Sequence, residues 1–195
     1  MVYLKFKRFY DFVGALIGLV ILSPLYLIIV LLIKLDSKGP ILFKQKRIGR
    51  NKKHFNILKF RTMKIETPKD TPTHMLENPE QYITKMGKFL RKTSLDELPQ
   101  IINIFKGDMS IIGPRPALWN QYDLIDERDK YDVHKLYPGL TGYAQTHGRD
   151  ELSISEKAKL DGYYVKYISL ILDIKIFIST IIAVFKASGI REGKK

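Results

Sequence analysis

The longest apolar stretch lies near the start of the chain. From Phe12 to Ile33 there are 22 residues without a Lys, Arg, Asp or Glu. That length suits one helix crossing a hydrocarbon core. Ser23-Pro24 sits in its middle. Pro24 has no N–H to offer the carbonyl of Val20, and its ring crowds that turn. The pattern therefore predicts two half-helices of about 11 residues, each roughly 17 Å long and too short to cross alone. Ser23 can satisfy the freed backbone group locally through its hydroxyl. Lys5, Lys7 and Arg8 precede the run, and Lys34, Lys38, Lys44, Lys46, Arg47, Arg50, Lys52 and Lys53 follow it. Lys and Arg stay on the cytoplasmic side of a membrane, so basic flanks at both ends favour a re-entrant helix–break–helix over a kinked spanning helix.

Beyond the turn Ser37-Lys38-Gly39-Pro40, two β-forming runs, Ile41–Arg47 and His54–Met63, predict a hairpin. In it Phe55, Ile57, Lys59 and Arg61 share one face. Lys64–Gln81, with Pro68, Pro72 and Pro79, reads as a loop, as does Gly-rich Tyr137–Arg149. Helices are expected at Gln81–Arg91, Leu95–Lys106, Ala117–Asp129 and Ile154–Tyr167, with Gly107 closing the second. Ile174, Phe177, Ile178, Ile181, Ile182 and Phe185 form a last helical stripe, interrupted by Asp173 and Lys175. Two mid-segment charges argue against a second span, leaving a core helix or one lying along the headgroups. The expected fold is α+β and mainly helical. Residues 1–36 form a re-entrant membrane segment, and 37–195 one compact domain with a small hairpin and amphipathic interfacial helices.

Charge sharpens this picture. The net charge is +13, but residues 1–60 hold 12 basic and 2 acidic side chains, against 21 and 18 in the remainder. Such a juxtamembrane cluster attracts anionic lipid. No nucleic-acid module accompanies it, so a nucleic-acid partner is not expected. The absence of cysteine excludes disulfides and thiolate metal sites. His54, His74, His134 and His147 show no metal-ligand spacing.

Three segments carry candidate chemistry. Ser94-x-x-Glu97 reads locally as a capping box, with Asp96 at the positive end of a helix. Ser153-x-x-Glu156 repeats that grammar, and adjacent acidic pairs recur at Asp126-Glu127 and Asp150-Glu151. Gly113-Pro114-Arg115-Pro116 fixes φ on both sides of one arginine, which suits aiming a guanidinium at a phosphate, or makes a rigid turn with a solvated side chain. Pro138-Gly139-Leu140-Thr141-Gly142 and Gly148-Arg149 offer glycines that let backbone N–H groups approach an anion, though taken alone they read as a structural loop. No P-loop pattern is present.

Taken together in order and spacing, these segments resemble the bacterial sugar transferases, the monotopic phosphoglycosyl transferases that begin glycan assembly on polyprenyl phosphate. Lys7-Arg8-Phe9-Tyr10-Asp11 is similar to the family's basic segment ahead of the membrane helix, and Ser23-Pro24 to its helix break. Lys59-Phe60-Arg61-Thr62-Met63 is similar to its strand motif. The most specific block runs from Ser94-Leu95-Asp96-Glu97-Leu98-Pro99-Gln100 through Lys106-Gly107-Asp108-Met109-Ser110 to Gly113-Pro114-Arg115-Pro116. The chain departs from the pattern at Thr146-His147 and Tyr143, in the nucleotide loop rather than at the carboxylates.

The resemblance implies a minimal catalytic form at the cytoplasmic face of the bacterial inner membrane. It implies transfer of a sugar 1-phosphate from a UDP-sugar to undecaprenyl phosphate with release of UMP, serving capsule, exopolysaccharide, O-antigen or glycoprotein assembly. Asp96 would be the nucleophile, and Glu97 with Asp96 would hold Mg²⁺. Arg115, Arg91, Lys59 and Arg61 would bind phosphate, and Gln145, Gly148 and Arg149 the nucleotide. The rival reading is a non-catalytic membrane adaptor in which Asp96-Glu97 merely caps a helix. The sugar and the oligomeric state, a homo-oligomer included, stay open.

Overall fold

The structure, a computed structural model, describes residues 2–67, 79–148 and 151–186. Pro68, Pro72 and Arg149 lie outside the described residues, as does the side chain of Phe185. The apolar run forms α1 (Val2–Ile21) and α2 (Ser23–Asp36), parted at Leu22. Pro24 opens α2, and the Ser23 hydroxyl donates to the Val20 carbonyl at 2.8 Å. The carbonyl that a proline leaves without its usual partner is thereby satisfied, as expected.

Both halves rest on the rest of the chain. In α1, Ala15 packs with Ile57, Ile104 and Met109; in α2, Ile29 and Ile33 pack with Phe60 and Leu90. Polar ties reinforce both ends. Arg8 donates to the carbonyls of Met109 and Ile104, and Asp11 accepts from the Ile111 N–H. Asp36 accepts from the Met86 N–H, and Tyr26 donates its hydroxyl to the Leu98 carbonyl. The remaining faces stay open, with Val20, Ile21, Leu27 and Leu35 each exposed.

The hairpin is present as β1 (Leu42–Ile48) and β2 (His54–Phe60), antiparallel with Leu42 opposite Phe60 and Ile48 opposite His54. The second strand stops at Phe60 rather than Met63, which instead bridges Ile83. That bridge also delays the next helix. It begins at Lys85, not Gln81, as α3 (Lys85–Lys92), capped by the Thr84 hydroxyl accepting from the Gly87 N–H.

The expected helix Leu95–Lys106 is divided. Leu95–Glu97 is a 3₁₀ turn and α4 is Gln100–Lys106. Pro99 stands at the junction, where its missing N–H prevents a continuous i→i−4 ladder. Gly107, at φ 100°, ends α4. The helix expected from Ala117 starts later, as α5 (Tyr122–Asp129), because Leu118 pairs with Arg47 and its N–H bonds the Gln121 side chain.

The segment read as a Gly-rich loop holds a strand and a short helix. β4 (Gly139–Thr141) pairs in parallel with β3 (Ser110–Ile112), and α6 is Tyr143–Thr146. The glycines are there for backbone approach. A Cβ on Gly139 would lie 2.1 Å from the Gly113 nitrogen. Their N–H groups serve the fold, with Gly113 donating to Thr141 and Gly139 to Pro114. Gly139 therefore serves the structural reading of its loop rather than an anion.

Helix α7 (Ile154–Tyr167) matches its expected span, and α8 (Leu170–Lys186) closes the described chain. On α8 the inward residues are Asp173 and Ile176. The apolar stripe at Ile174, Phe177, Ile178, Ile181 and Ile182 is 43–52% exposed. It is not a core stripe.

Candidate active site

Three elements converge beside the proline-broken helix. Lys59 comes from the penultimate position of β2, Asp96 and Glu97 from the 3₁₀ turn, and Arg115 from the Pro114–Pro116 turn after β3. Ser94 stands before the 3₁₀ turn at φ 57°, and its side chain makes no cap. Glu97 turns away instead. Its Oε1 accepts from Lys59 Nζ at 2.6 Å and from Arg115 Nη2 at 2.7 Å, and its Oε2 from Arg115 Nη1 at 3.3 Å. The local capping reading of Ser94-x-x-Glu97 is thereby overturned. Charge-assisted bonds to two cations outweigh the neutral bond to one backbone N–H that capping offers.

Asp96 is buried, 3.8 Å from Lys59 Nζ. Burial pushes its carboxyl above the ordinary range, and the neighbouring Glu97 charge adds to this against the pull of Lys59, Arg91 and Arg115. Glu97 goes the other way. Its burial acts upward too, but the Arg115 and Lys59 charges outweigh it and hold the group well below the usual range. The pair thus divides into a firmly ionised Glu97 and a more basic Asp96. Opposed pKa values in adjacent carboxylates mark two different chemical roles.

The Pro-Arg-Pro turn is clamped at each of its carbonyls. Pro114 accepts from the Gly139 N–H at 2.9 Å, Arg115 from Arg128 Nη1 at 2.9 Å, and Pro116 from Arg47 Nη1 at 3.0 Å. Arg128 is itself buried and donates Nε and Nη2 to Asp161 at 2.9 and 2.6 Å. The Arg115 side chain, 41% exposed, is the most open of the groups around Glu97. The turn is rigid and its arginine is paired, so the solvated-turn alternative does not hold.

Arg47, Arg128 and Asp161 were not singled out from sequence. Arg47 counted only as flank charge, though Gln45 and Arg47 at i, i+2 placed two polar groups on one strand face. Arg47 Nη2 donates to Gln45 at 2.6 Å, and burial, followed by repulsion from Arg115, lowers its pKa to about 9. Arg128 and Asp161 meet across two helices, and no local pattern announces such a pair.

The other expected residues fall as follows. Arg91, in the last turn of α3, sets its Nη1 against the Met63 sulfur at 3.8 Å while its charge acts on Asp96. Arg61 is not brought to the carboxylates. It is buried and donates to the Ser37 and Lys38 carbonyls, tying β2 to the end of α2. Strand alternation put Arg61 beside Lys59, but β2 ends between them. Gln145 donates to the Leu140 carbonyl, and its buried Oε1 has no partner among the described residues. Gly148 lies past α6 at φ 134°, and Tyr143 stacks on His147 at 4.0 Å.

No group of three metal-ligating side chains occurs among the described residues. Mg²⁺ takes one or two carboxylates and completes its shell with water and substrate phosphate; here Asp96 would hold it, and Glu97 would join only by giving up one of the cations that now bind it.

A family model described as bacterial sugar transferase matches residues 2–187. An uncharacterized sugar transferase, EpsL, of Bacillus subtilis is 39% identical across 95% of this chain and 90% of its own length. The UDP-glucose:undecaprenyl-phosphate glucose-1-phosphate transferase of Escherichia coli is 42% identical, over 90% of this chain and 39% of its own. The UDP-N-acetylgalactosamine-undecaprenyl-phosphate N-acetylgalactosaminephosphotransferase of Aeromonas hydrophila is 37% identical, over 97% of this chain and 46% of its own. With the match running from the first turn of α1 to the end of α8, the chain belongs to the bacterial sugar transferase family.

Proposed function

We propose that this protein transfers a sugar 1-phosphate from a UDP-sugar to a polyprenyl phosphate such as undecaprenyl phosphate and releases UMP. The observation that carries the reading is the placement of the carboxylate pair, with Asp96 buried 3.8 Å from Lys59 Nζ and Glu97 bound by Lys59 and Arg115. Asp96 is buried and the more basic of the two, while Glu97 is held ionised by Lys59 and Arg115. Relatives named for this reaction with glucose and N-acetylgalactosamine support it. The adaptor reading loses its basis, since Glu97 caps nothing.

Two displacements follow. A carboxylate oxygen of Asp96 bonds to the sugar-linked phosphorus, the bond from that phosphorus to the bridging oxygen breaks, and UMP leaves with the electron pair. An oxygen of the lipid phosphate then bonds to the same phosphorus, and the Asp96–phosphorus bond breaks to restore the carboxylate. Attack by one anion on another needs cations, and positioning with charge neutralisation is the main help a protein gives phosphoryl transfer. Arg115 and Lys59 supply it from fixed positions, and Arg91 and Arg47 add positive field. Mg²⁺, held by Asp96, would neutralise diphosphate charge.

The membrane placement belongs to the same proposal. Both ends of the α1–α2 pair are tied to one body, Arg8 and Asp11 at one end and Asp36 at the other. A helix pair that leaves and returns to one body fits a re-entrant anchor on the cytoplasmic face of the bacterial inner membrane, and fits a straight crossing poorly. The open stripe of α8 suits a position along the headgroups.

The test is UMP release from a panel of UDP-sugars with Mg²⁺, in the absence of lipid acceptor. The expected result is one equivalent of UMP per protein, a phosphosugar adduct by intact mass, and loss of both in Asp96→Asn. Turnover by Asp96→Asn at the wild-type rate would end the nucleophile assignment. Tags at Met1 and Lys195 should both be reached only from the cytosol.

A further inference from the structure

A second basic recess lies away from the carboxylates, where the first turns of α1 meet the segment before β4 and the start of α8. It is a cavity of about 60 Å³ lined by Lys7, Arg8, Arg50, Lys135 and Tyr137. Two guanidinium groups lie over the Tyr137 ring, Arg8 at 5.0 Å and Arg50 at 4.9 Å from its centre. Arg8 spends both Nη groups on the Met109 and Ile104 carbonyls. Arg50 is held through Nε on the Lys135 carbonyl, and its two Nη groups have no acceptor among the described residues. It is a fixed fork with open donors. Asp11 is the carboxylate in the wall, and its Oδ1 already accepts from the Ile111 N–H. Lys7 and Lys135 are offset by Asp173 and Asp132, so the open positive charge is mainly that of the two arginines.

The apolar part of the wall tells where the ligand comes from. Leu4 and Ile168 also line the cavity. Leu4 is itself 39% exposed, and Ile168 runs into exposed Leu170 and Ile171 at the start of α8. Lys7 and Arg8 come just ahead of the apolar run that starts at Phe12, which puts the recess at headgroup depth if that run is the membrane anchor. A soluble anion has no use for the apolar lip, whereas a phospholipid presents a phosphate and acyl chains to these two ends.

We propose that this recess binds the phosphate of an anionic phospholipid, distinct from the acceptor lipid that reaches Asp96. The proposal rests on the membrane reading above. An occupant would bridge α1 to the Lys135–Tyr137 segment and so fasten the anchor to the body.

The experiment puts the full chain in nanodiscs of equal parts phosphatidylcholine and phosphatidylglycerol and follows retained lipid by native mass spectrometry. Wild type is expected to keep one phosphatidylglycerol. Arg50→Gln should keep it about fivefold less, the scale of one basic residue facing anionic lipid, and Lys135→Gln in addition should lower it further. Equal retention of both lipids, or unchanged retention in Arg50→Gln, would overturn the site. So would Arg50-dependent thermal stabilisation by inorganic phosphate in phosphatidylcholine discs without phosphatidylglycerol retention, which would mean a soluble anion. A chain that never enters the discs would instead remove the membrane reading, and this proposal with it.

Discussion

Ser94–Glu97 and Ser153–Glu156 are two serines, each followed three residues later by a glutamate, and they are built differently. At Ser153 the bonds are reciprocal, with the hydroxyl accepting from the Glu156 N–H and the Glu156 carboxylate accepting from the Ser153 N–H. At Ser94 the backbone is left-handed, the hydroxyl caps nothing, and Glu97 reaches Lys59 and Arg115. The difference lies in what stands nearby in space. Around Glu156 the strong partners are local. Around Glu97 a strand and a proline-flanked turn deliver two cations, and charge-assisted bonds of about 1.5–3 kcal/mol each exceed a cap worth about 1 kcal/mol. A side chain withheld from its local bond is the mark of a site here.

The sharpest way to break the comparison is to neutralise each glutamate in turn. Glu97→Gln removes the charge that pairs Lys59 and Arg115, and is expected to lower kcat/KM for UMP release more than about 10³-fold, near 4 kcal/mol of transition-state stabilisation. Glu156→Gln should leave the rate within about twofold. Equal losses in the two variants would mean that both glutamates are structural.

The second effect tests what aims Arg115, for which the Ser153 segment has no counterpart. Asp161→Asn strips the ionic partner from buried Arg128, the residue that holds the Arg115 carbonyl. The expected cost is about 3 kcal/mol in denaturant unfolding of the detergent-solubilised chain, because a lone charge is left inside. Replacing both partners by Leu and Met should recover most of that stability without restoring full activity.

These contrasts also show why the sequence was readable only in part. Local information was enough where local bonds decide: the Ser153 box, the Gly107 stop, the β1–β2 hairpin, and Ser23 answering Pro24. It failed where distant groups decide. Leu95–Lys106 looked like one helix until Pro99 and the pull on Glu97 divided it. The parallel pairing of β3 with β4 rests on Gly113 and Gly139 meeting backbone to backbone across 26 residues, and short runs of three carry no period to detect. The carboxylates, Lys59 and Arg115 were visible in the motif. Arg47, Arg128 and Asp161, which hold that motif in shape, were not.

Acid titration separates the two segments by direction. In the proposed reaction Asp96 attacks as a carboxylate, and burial raises its pKa, so activity should fall on acidification above the ordinary Asp value of about 3.9. Lys59→Met removes a group that holds that pKa down, and the acid limb of kcat/KM should move further up. At Glu156 the Ser153 hydrogen bonds lower the pKa. Its folded value lies under the unfolded one, so its contribution is to stability. That contribution is present above about pH 4.3 and lost as pH falls, with no limb in the rate. A titration of Asp96 in the metal-free protein at or below the ordinary Asp value would contradict a raised Asp96.

The smallest expected effect isolates the serines. Ser153→Ala deletes a hydroxyl that accepts a helix N–H, and should cost about 1 kcal/mol in unfolding free energy. Ser94→Ala deletes a hydroxyl that caps no helix, and Ala and Ser bear the left-handed backbone at comparable cost, so the change should stay below about 0.5 kcal/mol. Both variants keep their glutamate, which makes the pair independent of any effect on Lys59 or Arg115. If the two serines cost the same, Ser94 contributes a cap after all, and Glu97 is then anchored locally as well as by its cations. If they differ as expected, the turn before Asp96 is held from outside by Lys59, Arg115 and the Tyr26 bond to Leu98. The carboxylate pair then owes its geometry to the strand, the clamped turn and the apolar helix α2 rather than to its own sequence neighbours.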